Sequence, residues 1–144
     1  MPRLRGNARE SLTHMSRKTA IPVSTIHDHL KQYEGIFIRR HTALLDFSKL
    51  GFNALANVLV KVGKHGKAAF LESLTKAVNV NSVFRVNNGF DFMFEVVFRG
   101  ICELEDYLEK MTENFPIEAK AVYYVIYDVR REAFLSNPES VFLV

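Results

Sequence analysis

Several features that mark other protein classes are missing from this 144-residue sequence. It contains one cysteine, Cys102, so an intramolecular disulfide is excluded, and this fits a reducing compartment. No run reaches the roughly 18 apolar residues that a membrane-spanning helix needs. The N-terminal segment is basic but has no apolar stretch, so it does not resemble a signal peptide. These absences predict a cytoplasmic protein.

No residue pattern in the sequence is typical of an enzyme. There is no glycine-rich phosphate loop, and no nucleophile stands in a pattern with a base. Cys102 lies beside Glu103 and Glu105, an acidic neighbourhood that disfavours a reactive thiolate. The segment His27-Asp28-His29 does not suit a metal, because residues i and i+2 of a helix diverge. We therefore expect no catalysis, no metal and no cofactor; an enzyme on the same scaffold is the third hypothesis, since a fold does not fix a function.

The charge is unevenly distributed along a chain that has enough apolar residues, 48%, to bury a core. Residues 1–50 carry nine Lys/Arg against four Asp/Glu, whereas residues 51–144 carry ten against twelve. A basic front half joined to a mildly acidic back half is expected when only one part contacts a polyanion. Chance could also produce so small a difference.

The front of the chain has the pattern of two short helices. Ser11 is a candidate N-cap for the first, which extends to Lys18 or Thr19. Pro22 breaks the pattern and suits the start of a second helix over residues 23–33. Within it, Ile26, Leu30 and Tyr33 recur at the spacing of one buried stripe. This is the pattern of a helix-turn-helix.

From residue 42 the pattern indicates a mixed α+β domain. A short extended stretch at residues 42–47 and a turn at 48–51 lead into a strand, and the elements then follow in the order β-α-β-β-α-β. The segments expected are strands at 53–62, 81–86, 90–99 and 118–129 and helices at 67–79 and 101–115. Asn87-Asn88-Gly89 predicts the hairpin turn between the middle strands. This order is the split-βαβ, or ferredoxin-like, motif.

Two of these strands are apolar on both faces. In the last strand, Tyr123, Val125 and Tyr127 alternate with Val122, Tyr124 and Ile126, and the phenylalanine-rich strand at 90–99 is similar. A sheet with helices on one side and water on the other usually shows polar residues on its open face. The pattern predicts that the second face packs on a copy of the same chain, most simply in a two-fold dimer. The alternative is that the chain's own termini cover it.

Four segments in order resemble the Lrp/AsnC family of prokaryotic transcriptional regulators, over nearly the whole chain. They are NARES at 7–11, VSTIHDHLKQYE at 23–34, HTALLDFSKLGF at 41–52 and NNGFDFMFEV at 87–96. They are similar to the family's entry into its second helix, its recognition helix, its linker and its Gly-x-Tyr-Asp turn. The resemblance implies a DNA-binding domain and a domain that dimerises, forms larger rings and in many members binds an amino acid.

The resemblance divides the chain into three parts. We expect a helix-turn-helix (winged-helix-like) domain at 1–40, a linker strand and turn at 41–52, and a ferredoxin-like (RAM-type) assembly and effector domain at 53–144. The family's first helix is expected to be mostly missing, with Leu4 as its last core position. His29 stands where the family usually has arginine, and Lys120 where many members have a hydroxyl residue near the effector.

The residues expected to contact double-stranded DNA are those at the start of the recognition helix and the basic residues around it. Ser24 and Thr25 suit base edges or phosphates, although they could simply cap the helix. The full expected set is Arg17, Lys18, Ser24, Thr25, His27, Asp28, Lys31, Arg39 and Arg40.

The turn containing Asn88, Gly89 and Asp91 is the expected effector site. Backbone amides freed by a tight turn can hold a carboxylate, and an acidic side chain can hold an ammonium group, which together suit an α-amino acid. A plain hairpin is the alternative. The leading hypothesis is thus a sequence-specific DNA-binding regulator, active as a dimer or larger ring, with a small-molecule effector. The second is a ligand-binding assembly module whose DNA reader is vestigial.

Overall fold

The computed structural model describes residues 7, 9–134 and 136. They divide into two compact units. The sheet unit contains Asp46–Asp128, and the reader unit groups the described residues up to Leu45 with those from Val129 on. Leu4 lies outside the described residues.

The reader unit contains two helices, α1 (Leu12–Thr19) and α2 (Val23–Tyr33). Ser11 caps α1, because its hydroxyl oxygen accepts the His14 amide at 3.2 Å. Ala20 ends α1 in the left-handed region, at φ 57°, and Pro22 opens α2. Between them the backbone makes the turn of a helix-turn-helix, as the sequence predicts.

The sheet unit has the expected βαββαβ order. Its elements are β1 (Ala54–Val62), α3 (Lys67–Lys76), β2 (Val80–Arg85), β3 (Phe92–Phe98), α4 (Ile101–Asn114) and β4 (Ile117–Tyr124), preceded by a 3-10 turn at Ser48–Leu50. The strands form one antiparallel sheet in the order β2-β3-β1-β4. The α+β class and the ferredoxin-like motif are confirmed.

The core lies between the two helices and one face of this sheet. Alternate residues of β1 from Ala54 to Val62 are buried, because successive side chains of a strand point to opposite faces. They pack with Phe92, Phe94 and Val96 of β3 and with the inward stripes of α3 and α4. Phe70 is fully buried, with its ring centroid 5.2 Å from Phe115 and 5.8 Å from Phe92. The helices therefore cover one face only.

A glycine is required where β1 passes into α3. A Cβ atom at Gly66 would lie 2.6 Å from the Cγ atom of Pro116, closer than real contacts allow. Gly63 donates its amide to the Pro116 carbonyl at 2.7 Å. The Gly63–Gly66 break thus packs against the start of β4.

The structure corrects four of the expected boundaries. Residues 42–46 form no strand, since they pair with no other described strand. Helix α3 ends at Lys76 rather than 79, because Asn79 leaves it to bond to β3: its carbonyl accepts the Val97 amide, and its side-chain amide donates to the Val97 carbonyl. Strand β4 ends at Tyr124 rather than 129, and β3 begins at Phe92 rather than 90.

Candidate nucleic-acid interface and effector turn

The polar face of α2 lies opposite a stripe of apolar side chains. Ile26, Leu30 and Tyr33 are half-buried, and every other residue of the helix is exposed. At 100° per residue, Ser24, Asp28 and Lys31 lie on the side opposite this stripe. Thr25 and His27 lie on its two flanks. We call these five residues the reading face.

The hydroxyl groups in the first turn of α2 do not cap the helix. The N-cap is Pro22, and no side chain makes a capping hydrogen bond there. Ser24 and Thr25 are both exposed. The simple capping role considered for them is therefore not what this helix shows, and their hydroxyls face solvent beside a positive helix terminus.

The reading face is not uniformly basic. Asp28 stands at its centre, and its carboxylate lies 3.5 Å from the Nδ1 atom of His27. A carboxylate repels phosphates but can accept a hydrogen bond from the exocyclic amine of cytosine. Its position therefore suits discrimination between bases better than general affinity.

The expected phosphate contacts are exposed and surround this face in sequence. Arg17 and Lys18 lie in the last turn of α1, where the helix dipole stabilises positive charge. The Nζ atom of Lys18 is 3.6 Å from a Glu10 carboxylate oxygen, which also contacts His14 at 2.8 Å. Arg39 and Arg40 follow α2 in irregular, exposed backbone. Basic residues thus both precede and follow the reading face in the sequence.

One further polar residue escaped the sequence reasoning. Gln32 is exposed and lies four residues after Asp28, hence beside it on the same helix face. Its amide is of the type that reads adenine. The i+4 spacing from Asp28 was the signal that could have identified it. His29 instead lies against the ring of Tyr33, with a centroid separation of 6.1 Å.

The hairpin turn has the conformation that the sequence predicts. Asn88 and Gly89 both have positive φ, 62° and 89°, and both are exposed. A Cβ atom built on Gly89 would meet nothing within 4 Å. The tip of the turn is therefore open to a ligand.

Asp91, the third residue expected in the effector site, already has partners within the sheet unit. Its carboxylate accepts the Val62 amide at 2.9 Å and pairs with the Lys67 ammonium at the start of α3. The hydrogen bond from Lys67, followed by that from Val62, lowers the pKa of Asp91. The Asp91 carboxylate is thus engaged within the sheet unit, whereas Asn88 and Gly89 at the tip of the turn are exposed.

Two surface depressions of the sheet unit lie away from this turn. One, of about 390 Å³, is lined by Glu105, Glu109, Thr112 and Lys120. The hydroxyl of Tyr124 donates to the Glu105 carboxylate nearby, and this contact raises the pKa of Tyr124. The other, of about 180 Å³, is lined by residues including Phe47, Phe52 and Val97. Lys120 and the two glutamates thus make the first depression one of mixed charge.

Three further properties of the described residues bear on the site. Within residues 9–134, no group of three or more His, Cys, Asp and Glu side chains is arranged to hold a metal ion. No helix in the described part of the chain is long and apolar enough to cross a membrane. Cys102 is a free, exposed thiol on α4.

Comparison with known proteins identifies relatives among regulators from Pyrococcus. No protein-family model matches the chain. The helix-turn-helix transcriptional regulator FL11 of Pyrococcus abyssi is 31% identical over 108 residues, 74% of this chain and 71% of the relative. FL11 of Pyrococcus horikoshii is 28% identical over 109 residues, 74% and 71% of the two chains.

Solved structures share the fold at lower identity. The regulator NMB0573 of Neisseria meningitidis, solved as a complex with L-Met, has a TM-score of 0.86 at 20% identity, covering 98% of this chain and 92% of its own. LrpC of B. subtilis has a TM-score of 0.79 at 18% identity, covering 88% and 89%. AsnC of E. coli has a TM-score of 0.79 at 17% identity, covering 89% and 88%. Together with the relative that is 31% identical, these likenesses show that the chain belongs to the Lrp/AsnC family of helix-turn-helix transcriptional regulators.

Proposed function

We propose that the protein regulates transcription by reading DNA with the first turns of α2 while its sheet unit holds two readers together. One observation supports the proposal that α2 reads DNA. After the turn at Ala20, α2 exposes a polar face whose hydroxyls are not used in capping. The N-terminal end of a recognition helix is the end that enters the major groove. Such a protein acts inside the cell and without catalysis.

The uncovered face of the sheet supports a homodimer. Phe84 and Tyr123 on this face are 52% and 61% exposed, and Phe84 pairs with Met93 of the neighbouring strand. The Leu59, Met93 and Phe84 side chains there are outside the core cluster of the unit. Packing two such sheets would bury this surface and bring two copies of α2 into one assembly, so that the preferred DNA sites are near-palindromic.

The test of DNA reading begins with sites selected by the protein from genomic fragments. Binding to the best site is then measured by fluorescence anisotropy at several salt concentrations. Lys31→Ala should weaken binding to all sequences and reduce the slope of log affinity against log salt by about 1. Ser24→Ala should lower affinity for the selected site by roughly 1 kcal/mol and relax preference at one base pair.

Lys110→Ala is the matched control, because Lys110 is an exposed lysine on α4 of the sheet unit. It should leave both affinity and salt slope unchanged. Equal losses for Lys31→Ala and Lys110→Ala would contradict a reader located on α2. Binding that is indifferent to salt and sequence would contradict specific DNA reading itself.

We propose an α-amino acid as the class of effector, held at the turn of Asn88 and Gly89. The open tip of the turn supports this, and a protein of the same fold has been solved with L-Met. Because the Asp91 carboxylate is engaged by Lys67 and Val62, we assign it to positioning the turn rather than to binding the ammonium group. Calorimetry with the twenty amino acids, on wild type and Gly89→Val, tests this. Unchanged binding in the variant would contradict the site.

The vestigial-reader alternative has one observation in its favour. Met15 is the only buried apolar side chain in the described part of the reader unit. If selection from genomic fragments yields no preferred site while the sheet unit binds an amino acid, this alternative replaces the first proposal. Recovery of a sequence that the Ser24→Ala variant reads differently would exclude it.

A further inference from the structure

The reader unit is built from two stretches of chain that are far apart in sequence. It groups the described residues up to Leu45 with residues 129–134 and 136, which we call the C-terminal segment. The sheet unit, Asp46–Asp128, lies between the two stretches in the sequence. The chain therefore passes between the two units twice, and the stretch that contains α1 and α2 is not the whole of its unit.

The two helices of the reader unit bury little against each other. Helix α1 has eight residues and α2 has eleven, and isolated helices of this length are marginal in water. Met15 is the only buried apolar side chain among the described residues of the unit, and the stripe of α2 is only half-buried. Between residues 34 and 45, only Ile38 is half-buried and the rest are exposed. The helices therefore need cover that the loop after α2 does not supply.

Burial returns in the C-terminal segment after an exposed connection. Residues 126–130 are all exposed. Beyond them, Arg131, Ala133 and Ser136 are half-buried, and all three belong to the reader unit. Something in that unit therefore covers one side of the segment, and the rest of the unit's described residues are the stretch that contains α1 and α2.

The C-terminal segment also has a defined backbone conformation. Glu132 lies in the left-handed region, with φ 51°, so the chain bends there. The backbone amide of Ser136 and its hydroxyl both donate to the Ala133 carbonyl, at 3.3 and 2.8 Å. A carbonyl that accepts two hydrogen bonds from a residue three positions later closes a tight turn. The segment is thus bent and turned within the reader unit and does not continue as a strand.

We propose that the C-terminal segment is the third supporting element of the DNA-reading unit, and that the folding of α2 depends on it. The consequence for DNA rests on the proposed function, because only the folded fraction of the reader can bind and the apparent affinity falls with that fraction. A reader joined to the sheet unit at two points also has less conformational freedom than one on a single linker. The end of the chain thus takes part in reading DNA without belonging to the reading face.

Two adjacent positions of the segment provide a matched test in the full chain. Ala133→Asp places a charge at the covered side, whereas Phe134→Asp places the same charge at a neighbour that is 69% exposed. Native-state hydrogen exchange, measured by NMR, follows amides at the end of α2, such as that of Glu34, which donates to the Leu30 carbonyl at 2.9 Å. The amides of β1 serve as the internal reference.

Ala133→Asp should speed exchange of the α2 amides by about tenfold or more, because a charge at a covered position opposes packing. Phe134→Asp should stay within about threefold of wild type, and the β1 amides should not change in either variant. DNA affinity should fall in Ala133→Asp by at most the factor seen in exchange. Equal effects of the two variants, or unchanged α2 exchange in Ala133→Asp, would overturn the proposal. If the wild type selects no DNA site, the proposed function fails, and α2 exchange still decides whether the segment supports the reader.

A second pair of variants tests the bend, and it decides the question if Ala133→Asp unfolds the whole chain by circular dichroism. Glu132→Val and Glu132→Asn both remove the carboxylate, so they differ in how well the new residue tolerates φ 51°. Asparagine adopts this region readily, whereas a β-branched residue is strained there. Exchange of the α2 amides should be about tenfold faster in Glu132→Val than in Glu132→Asn. Equal exchange in the two would overturn the supporting role of the segment.

Discussion

The two units of this chain differ in how they hold their structure. Of the buried apolar side chains among the described residues, fifteen belong to the sheet unit and one, Met15, to the reader unit. The reader unit also exposes Ile36, Phe37, Leu44 and Leu45. A unit with so little core has a low free energy of unfolding of its own. The difference teaches that the packed core lies in the sheet unit, whereas the proposed reading face lies on a unit with little packing behind it.

The largest effect is expected at the centre of the sheet unit. Phe70→Ala should lower the free energy of unfolding by about 3–5 kcal/mol, because the ring is fully buried and contacts Phe92, Phe94 and Phe115. Urea unfolding followed by tyrosine fluorescence measures this. Phe37→Ala, a change of an exposed phenylalanine in the reader unit, is the control and should cost far less. Equal costs would contradict the uneven distribution of core.

At Met15 we expect a smaller loss in the free energy of unfolding but a larger loss of DNA binding. Met15→Ala should cost at least about 2 kcal/mol, and this would unfold a reader unit that has no other buried apolar side chain among its described residues. DNA binding and part of the helical circular dichroism should be lost. The dimer dissociation constant and the unfolding midpoint of the sheet unit should not change. Loss of the dimer together with DNA binding would show that the units are coupled rather than independent.

In both units, the elements that the sequence predicts are those with a signal in their own segment. The sheet unit could be anticipated because its strands and helices each have a clear period, and because Asn88-Gly89 favours positive φ. Helix α2 was expected at its observed bounds, because Pro22 and the stripe of Ile26, Leu30 and Tyr33 mark it. In both cases the signal is local to the segment that it predicts.

What the sequence could not supply depends on partners far along the chain. Residues such as Ile126 and Val129 favour a strand, yet β4 ends at Tyr124, since the antiparallel partner β1 begins at Ala54. The last ladder bond joins the Val125 amide to the Leu55 carbonyl. Alternation of residue types cannot show where a partner strand runs out. Nor can it show the register that sets Asn57 beside Glu95 of β3 and Tyr123 of β4.

The smallest expected effect, and the most specific to the sheet unit, is at Asp91. Its partners Lys67 and Val62 are 24 and 29 residues away, so only the folded sheet unit brings them to the carboxylate. Their hydrogen bonds lower the pKa of Asp91 in the folded state below its unfolded value. A depressed carboxyl pKa contributes stability above the unfolded value, near 3.9, and this contribution is lost as the pH falls through the folded pKa.

We therefore expect Asp91→Asn to lower the unfolding midpoint of the sheet unit modestly at pH 7 and to reduce its sensitivity to acid below about pH 4. Asp106→Asn, a change of an exposed carboxylate on α4, is the matched control and should leave the acid sensitivity as in wild type. The reader unit should show the same pH dependence in all three proteins. If Asp91→Asn leaves the acid limb of the sheet unit unchanged, its contact with Lys67 contributes nothing to folding. Asp91 would then return to the set of residues available to hold the effector's ammonium group.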